Sequence, residues 1–473
     1  MDAEEWLTKG FALSLLGKHT EALEAADNAL AHDPALVGAW HLKSATLAVL
    51  ERDNEALDAC MQALVIDPEY TPAWMLKGLA LDNLGRYEEA LLVYDTMLTQ
   101  DPESAIAWSK KAAALISLGR YTDALEACER ALSIEQDDAT TWNHKGVALL
   151  KLRRYTEALI AFEQGIKINP RISELWNNKG HALVRLGRFD HALVAFGKAT
   201  SLDPLNAAFW VDKGAALSEL NRNTEALKVY NHVISLDPDN IPAWNNIGQV
   251  LDRFGRFDEA LAAYDKALEL QPEFARVWYN KGVTFMHAKR FDDALAAYAK
   301  SIACDRTYIE SWYNKGNTHR RLEQYQEAID AYDALLEINP EYIDAWYNKG
   351  CVLAIIGEHE RSIAAFEEAL ALNPALPGAW CNIGESKKEL GRTDDAMTAF
   401  DNALSIDPSF VLAWKNKSDI FFALQDTENV LSCLEQAVTH TINRQTGSTS
   451  IPRIHTKSKK PKQTFARFRK KHA

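Results

Sequence analysis

Tryptophan occurs at one fixed interval along this sequence, and that interval constrains the fold more than any other feature. The 13 tryptophans are each 34 residues from the next, with no insertion or deletion between them. They are Trp6, Trp40, Trp74, Trp108, Trp142, Trp176, Trp210, Trp244, Trp278, Trp312, Trp346, Trp380 and Trp414. A period of this length indicates stacked repeats, none of which can bury its apolar surface without its neighbours. We therefore predict one elongated array rather than several globular domains.

Each repeat contains two stretches of helical periodicity. Small or apolar residues at i, i+4 and i+7 mark one face of a helix. In the third repeat these residues are Trp74, Gly78 and Leu81 in the first stretch and Ala90, Tyr94 and Met97 in the second. Gly85 stands between the stretches and can take the left-handed conformation that ends a helix. Asp101-Pro102 ends the second stretch, because proline excludes the helical conformation from the residue before it. Each repeat is therefore predicted to be a helical hairpin.

A small residue stands in the middle of every first helix. It is glycine in ten repeats, although glycine in a helix interior costs ~1 kcal/mol relative to alanine. The glycines are Gly10, Gly78, Gly146, Gly180, Gly214, Gly248, Gly282, Gly316, Gly350 and Gly384, and Ser44, Ala112 and Ser418 replace them in the other repeats. Alanine occupies the corresponding position of the second helix in eleven repeats. We predict that these small residues face each other and allow the two helices to approach closely.

Trp, Gly, Leu, Tyr or Phe, Ala and Pro at this spacing resemble the tetratricopeptide repeat. The form Trp346-Tyr347-Asn348-Lys349-Gly350 resembles the arrays common in methanogenic archaea. The resemblance covers residues 3–442 and implies an all-α, right-handed superhelical solenoid of tandem helical hairpins, whose first helices line a concave groove. Lysine precedes the helix glycine, or its replacement, in eleven repeats, where the family usually has leucine. Because a lysine stem can cover apolar surface while its ammonium reaches water, we interpret these lysines as packing and solubilising residues.

Charge divides the chain into an acidic body and a basic tail. Residues 443–473 contain ten Lys and Arg and no acid, which leaves 42 basic against 66 acidic side chains in residues 1–442, a net charge of −24. The tail lacks apolar periodicity, so we predict that residues 443–473 are disordered. The acidic first residues and the absence of a long apolar run favour a cytoplasmic protein without a signal peptide or a membrane span.

No combination of residues indicates an enzyme or a cofactor. Adjacent acids such as Glu88-Glu89 begin second helices, where they cap free amides and favour the helix dipole rather than act as paired catalytic carboxylates. The sequence has no phosphate loop and no H-E-x-x-H motif. The six cysteines show no C-x-x-C spacing, so we assign no disulfide, no metal and no other cofactor. Cys351 and Cys381, on adjacent repeats, leave a metal or redox pair as the alternative.

The face of each first helix opposite its tryptophan differs between the early and the late repeats. At 100° per residue, early repeats place apolar residues there, among them Val147 and Leu150, whereas late repeats place an asparagine two positions after the tryptophan. We call these asparagines the asparagine series; they are Asn178, Asn246, Asn280, Asn314, Asn348, Asn382 and Asn416. The flanking side chains are Tyr279, Tyr313, Tyr347, Arg320 and Arg321.

An asparagine side chain offers donors and an acceptor, which suits the amide groups of an extended peptide of any sequence. The series resembles the asparagine ladder in the repeat domain of the enzymes that attach N-acetylglucosamine to proteins. We therefore predict a non-enzymatic scaffold that binds extended segments of other proteins in its groove, with no small-molecule substrate. Three alternatives remain open. The asparagines bind only water, the basic tail tethers the scaffold to nucleic acid or an anionic membrane surface, or the tail folds against the acidic body.

Overall fold

The computed structural model describes residues 1–446, and all regular structure in them is helical. These residues form 26 helices in which a first helix of 13 residues alternates with a second helix of 14, except that the last has 20. Within the two compact units described below, the odd-numbered helices α1 to α13 and α17 to α25 each pack against the next helix to form a hairpin. The predicted all-α array of tandem hairpins is therefore confirmed.

Contacts between helices divide the chain into two compact units, of which the first is Met1–Phe254. Its helices are α1 (Ala3–Leu15), α2 (His19–His32), α3 (Val37–Val49), α4 (Asp53–Ile66), α5 (Thr71–Asn83), α6 (Tyr87–Gln100), α7 (Ala105–Ser117), α8 (Tyr121–Ile134), α9 (Ala139–Lys151), α10 (Tyr155–Ile168), α11 (Ser173–Arg185), α12 (Phe189–Leu202), α13 (Ala207–Glu219), α14 (Asn223–Leu236) and α15 (Ile241–Arg253). Helix α1 begins with a capping box, in which Asp2 and Glu5 each accept a hydrogen bond from the other's backbone amide.

The second compact unit begins at Gly255. Its described helices are α16 (Phe257–Leu270), α17 (Ala275–His287), α18 (Phe291–Cys304), α19 (Ile309–Arg321), α20 (Tyr325–Ile338), α21 (Ile343–Ile355), α22 (His359–Leu372), α23 (Pro377–Glu389), α24 (Thr393–Ile406), α25 (Val411–Ala423) and α26 (Thr427–Thr446). Helix α26 thus continues four residues beyond the predicted end of the array at residue 442. The remainder of the predicted tail lies outside the described residues.

The turn inside each hairpin ends the first helix with a residue in the left-handed conformation. Gly85 has a φ of 71°, its amide donates to the carbonyl of Asp82, and the amide of Arg86 donates to the carbonyl of Leu81. These paired hydrogen bonds are a Schellman motif, which confirms the prediction for Gly85. The residues other than glycine that have a positive φ are Glu51, Arg153, Asn221, Lys289, Glu323 and Gln425.

Acidic residues at the start of second helices pair with arginine instead of capping the helix. The N-cap of α6 is Arg86, and no side chain makes a capping hydrogen bond there. Nε and Nη2 of Arg86 donate to the two carboxylate oxygens of Glu89, at 2.6 and 2.7 Å. The predicted capping role is therefore wrong for Glu89, because arginine three residues earlier holds its carboxylate away from the free amides.

Tryptophan closes the turn that joins its repeat to the preceding one. Nε1 of Trp346 donates to the carbonyl oxygen of Pro340 at 2.9 Å. Eleven of the twelve tryptophans that follow such a turn make the equivalent bond. Trp380 is the exception, since Pro377 is the first residue of α23 and holds Leu376 at a φ of −112°. The indole therefore fixes the turn as well as filling the core.

The glycines of the first helices make room for an aromatic ring. A Cβ atom on Gly146 would lie 2.3 Å from Cε1 of Phe162, on the second helix of the same hairpin. The same overlap, at 2.3–2.8 Å, occurs at eight of the glycines. The ring, which the sequence analysis does not predict, therefore fills the space beside the glycine. The small residue of the second helix also lies against this glycine, since Oγ of Ser362 donates to the carbonyl oxygen of Gly350 at 2.9 Å. Ala112 replaces the glycine where Cys128, a smaller residue, replaces the ring.

The lysine before the helix glycine connects neighbouring hairpins. Nζ of Lys349 lies 5.0 Å from the ring centroid of Trp346 and 2.5 Å from Asp333, which is on the second helix of the preceding hairpin. Seven lysines pair with an acid 16 residues earlier: Lys43, Lys111, Lys145, Lys179, Lys281, Lys349 and Lys417. Lys77, Lys213 and Lys315 form no ion pair with a described residue, and Met61, Gly197 and Ala299 stand at the corresponding positions. The lysines thus connect hairpins wherever the preceding helix supplies an acid.

Candidate functional site

The asparagine series lies in the contact between consecutive first helices. In the second compact unit, three asparagines donate a hydrogen bond from Nδ2 to the tyrosine hydroxyl 35 residues earlier. These bonds join Asn314 to Tyr279 at 3.1 Å, Asn348 to Tyr313 at 3.1 Å and Asn382 to Tyr347 at 3.3 Å. The structure therefore brings together the asparagines and tyrosines that the sequence predicts as one binding surface. It also shows that their amide groups take part in packing between hairpins.

The other members of the series have different neighbours. Asn416 is buried, and its Nδ2 donates to Oε1 of Glu385 at 2.7 Å, so this asparagine lies inside the protein rather than at a surface. Asn280 is half-buried on α17. In the first compact unit, Oδ1 of Asn246 accepts a hydrogen bond from the side-chain nitrogen Nδ2 of Asn245 at 3.2 Å. Of the predicted positions, Asn314, Asn348 and Asn382 are thus the ones that share a single repeated geometry.

Among the described residues, the bonds of Asn314 to Tyr279 and of Asn348 to Tyr313 each leave one acceptor and one donor unused. Nδ2 of Asn348 donates both to Tyr313 and to Oδ1 of Asn317, at 3.1 and 3.3 Å, whereas Oδ1 of Asn348 accepts no hydrogen bond. Burial raises the pKa of Tyr279 and of Tyr347, so both hydroxyls keep their proton at neutral pH. A hydroxyl that accepts from an asparagine can still donate this proton. These two pairs therefore each offer an acceptor and a donor, whereas the Tyr347 hydroxyl already hydrogen-bonds the Cys351 thiol.

Neighbouring aromatic rings hold these tyrosines in place. The ring of Tyr313 lies 5.3 Å from that of Tyr342 and 6.4 Å from that of Tyr332, measured between centroids. Tyr279 makes the equivalent contacts one repeat earlier, at 5.4 Å to Tyr308 and 6.1 Å to Tyr298. Because the rings pack on two sides, the hydroxyl positions are fixed before any ligand binds.

Two cavities lie beside this part of the asparagine series. Arg320 and Arg321 line a cavity of about 490 Å³, together with Met286, Asn317, Glu323, Tyr325 and Ile355. The second cavity, of about 510 Å³, also includes Ile355 and is lined by Asn382, Cys351, Glu385, Lys388 and others. Neither Arg320 nor Arg321 forms an ion pair with a described residue, although Arg321 lies 5.7 Å from the ring of Phe291. Positively and negatively charged side chains line both cavities.

The structure gives no support to the alternative of a reactive cysteine pair. Burial raises the pKa of the Cys381 thiol to about 12, and it raises the pKa of Cys351 as well. Both sulfurs are therefore neutral thiols at physiological pH and weak metal ligands or nucleophiles. Within residues 1–446, no group of three or more His, Cys, Asp or Glu side chains could hold a metal ion. No helix of this part of the chain is long and apolar enough to cross a membrane.

The first compact unit contains a group of charged residues that the sequence analysis does not predict as a site. Lys151, Arg153 and Arg185 line one cavity of about 570 Å³. Lys151 and Arg185 each stand nine residues after a tryptophan, on the helix face used to define the asparagine series. Arg153 stands where several other turns have glycine. These two features of the sequence could have identified the group.

Comparisons with known proteins agree with the repeat architecture. A family model described as tetratricopeptide repeat matches residues 75–140, 110–171, 177–241, 245–309 and 313–377. A second model with the same description matches residues 377–410. A search of curated proteins finds no match.

Several solved structures are similar to parts or most of the chain. The MamA protein is 30% identical, with 36% of this chain and 92% of that chain covered and a TM-score of 0.34. YrrB, described as a TPR protein with an unusual peptide-binding site, is 22% identical over 40% of this chain and 98% of that chain, with a TM-score of 0.34. Yeast Tom70 is 17% identical over 94% and 97% of the two chains, with a TM-score of 0.43.

Proposed function

Because the chain belongs to the tetratricopeptide repeat family, we propose that it is a non-enzymatic scaffold that binds extended segments of other proteins in the cytoplasm. The observation that supports this most directly is the repeated asparagine–tyrosine bond on α17, α19, α21 and α23. It presents an asparagine oxygen as acceptor at each of the three steps, and a hydroxyl donor at Tyr279 and Tyr313. The peptide backbone has the same two groups at every residue.

The spacing of the repeats suits an extended peptide. Packed helices lie about 8–10 Å apart, and an extended chain advances about 3.3 Å per residue. A bound segment would therefore meet one asparagine–tyrosine pair about every third residue. Contacts of this kind involve the backbone, so they would set affinity more than sequence preference. The side chains of the segment would lie against the two cavities, whose Arg320, Arg321 and Lys388 are accompanied by carboxylates.

The test compares two asparagines of the series that make the same kind of bond. Peptides without Asp or Glu, selected from a random library on the full-length chain, would be measured against Asn348→Ala and Asn178→Ala. Asn178 donates to Asn143 at 2.9 Å in the first compact unit, so both variants lose a hydrogen bond between hairpins. We expect Asn348→Ala to weaken binding about 2- to 12-fold, as the loss of a hydrogen bond worth roughly 0.5–1.5 kcal/mol implies. Binding to Asn178→Ala should match the parent.

Asn348 stabilises the packing between hairpins as well as forming part of the proposed binding surface. Since Asn348 contacts Tyr313 and Asn317, its replacement should also lower stability, and Asn178→Ala shows how much of any effect has that origin. Equal loss of binding in both variants, or in neither, would contradict the proposed surface.

The basic tail supports a second candidate function. Ten Lys and Arg without an acid in residues 443–473 favour an anionic partner such as nucleic acid or an acidic membrane surface. On this proposal the tail sets where the scaffold is located and the helices select what it binds.

A further inference from the structure

A cavity in the first compact unit has a strongly basic lining. It is formed by α9, α11 and the turn after α9, and its volume is about 570 Å³. Lys151, Arg153 and Arg185 line it, and no Asp or Glu is among its lining residues. This is unexpected in a body whose net charge is −24.

The three cations have no ion-pair partner among residues 1–446. The contrast with the next residue is direct, since Arg154 donates two hydrogen bonds to Glu157, both at 2.7 Å. His181 also lines the cavity, but its Nε2 lies 2.9 Å from Oδ2 of Asp212, outside the lining. The cavity therefore carries three positive charges that form no ion pair with any residue the structure describes.

The backbone at Arg153 gives a second reason to consider this a site. Arg153 has a φ of 61°, in the left-handed region that costs a residue other than glycine roughly 1–2 kcal/mol. Among residues 1–446, seven glycines and six other residues have a positive φ at this turn position, so glycine can make the turn without this strain. Lys289 occupies the same turn position in another repeat, but the cavity beside it also contains the carboxylates of Asp258 and Glu259. The strain at Arg153 thus places an additional unpaired cation in the cavity.

The remaining lining residues indicate what kind of anion fits. Val147 and Leu150 contribute apolar surface, and Tyr155 contributes a half-buried ring. A ligand that presents only phosphates would leave this surface unused. A peptide can place carboxylates on the cations and an apolar side chain on Val147 and Leu150.

We propose that this cavity binds an acidic segment of a partner protein that also carries an apolar residue. Carboxylates of the segment pair with Lys151, Arg153 and Arg185, and charge-assisted hydrogen bonds of this kind are among the stronger polar contacts in proteins. The proposal rests on the scaffold function and uses different residues from the asparagine–tyrosine pairs, although Asn178 of the asparagine series also lines this cavity.

The experiment measures a fluorescein-labelled peptide of eight Glu and two Leu against the full-length chain by fluorescence anisotropy. The variant Arg153→Gly introduces the residue that several other turns carry, so its helical content and thermal midpoint should equal or exceed those of the parent. We expect it to bind the peptide about tenfold more weakly or worse, as the loss of a hydrogen bond to a charged group implies. Lys289→Gly is the matched control, since it removes one positive charge from the same turn position, and it should bind like the parent.

Three further measurements complete the test. Changing Glu to Gln in the peptide should abolish binding, and changing Leu to Ser should weaken it. Asn348→Ala should bind this peptide normally, which separates failure of this proposal from failure of the asparagine surface. The proposal is overturned if the parent does not bind the peptide, or if Lys289→Gly and Arg153→Gly lose affinity equally. It is also overturned if tripolyphosphate binds more tightly than the peptide and the Leu residues contribute nothing.

Discussion

The space beside the first-helix glycine shows how one residue position sets the distance between two helices. The ring of Phe162 is fully buried, and it lies where a side chain on Gly146 would be. Glycine in a helix interior normally destabilises, so its cost is offset here by the burial of a large apolar ring. The pair Ala112 and Cys128 reaches the same packing with a larger residue on one helix and a smaller one on the other.

Gly146→Ala should therefore destabilise its hairpin. The added methyl group would overlap Phe162, and overpacking of this kind costs roughly 1–3 kcal/mol. Gly197→Ala is the control, because Gly197 lies within α12 with no atom within 4 Å of the added carbon, and that change should stabilise. Urea unfolding followed by circular dichroism distinguishes the two. Adding Phe162→Cys should recover part of the loss, as in the Ala112–Cys128 pair, and no recovery would contradict this account.

The sequence predicts local features of each residue better than its distant partner. Gly85 and the Asp101-Pro102 dipeptide act within a few bonds of themselves, so their roles in ending helices follow from residue type. The partner of the helix glycine is 16 residues away, and choosing between alanine and the ring requires the directions of both side chains. The sequence predicts the helix face on which Asn348 lies, but the bond of Asn348 to Tyr313 spans 35 residues and depends on how two hairpins stack.

At the scale of helices, the lysine–acid pairs connect the second helix of one hairpin to the first helix of the next. The side chain of Lys349 is only 15% exposed, while that of Asp333 is 40% exposed. An ion pair that is partly shielded from water contributes more than a fully exposed one. In an array where each repeat contacts only its neighbours, such pairs act directly on the coupling between repeats.

Lys349→Met should weaken this coupling more than Lys315→Met. Methionine keeps an apolar chain of similar length and removes the charge, so both variants lose the contact between the ammonium and a tryptophan ring. Only Lys349→Met also loses an ion pair, because Ala299 stands where Lys315 would need an acid. We expect a further loss of about 0.5–1 kcal/mol, measured by hydrogen exchange of the amides in α20 and α21. Equal losses in the two variants would show that the ion pair contributes nothing to the coupling.

At the scale of the whole molecule, the array and the tail pose separate questions. The array is regular because most repeats share three contacts: the indole bond to the preceding turn, the ring beside the glycine, and the lysine–acid pair to the preceding hairpin. Helix α26 differs, since Leu431, Leu434 and Val438 are 58%, 43% and 54% exposed, whereas Leu404, at the position of Val438 one repeat earlier, is 8% exposed. Earlier second helices have a following hairpin against these positions, and α26 has none among the described residues.

Deleting residues 447–473 tests whether the tail is a charged tether or a cover for α26. As a tether it should contribute nothing to packing, so the thermal midpoint and the helical signal of the shortened chain should equal those of the parent. Retention of the parent on DNA or on acidic vesicles should fall steeply as salt rises, because each neutralised phosphate releases counterions, and the deletion should abolish it. A full-length variant with the tail's Lys and Arg changed to Gln should behave like the deletion in the binding assay. If the thermal midpoint falls on deletion but not in the Gln variant, the tail instead packs against Leu431, Leu434 and Val438, and the tether proposal is wrong.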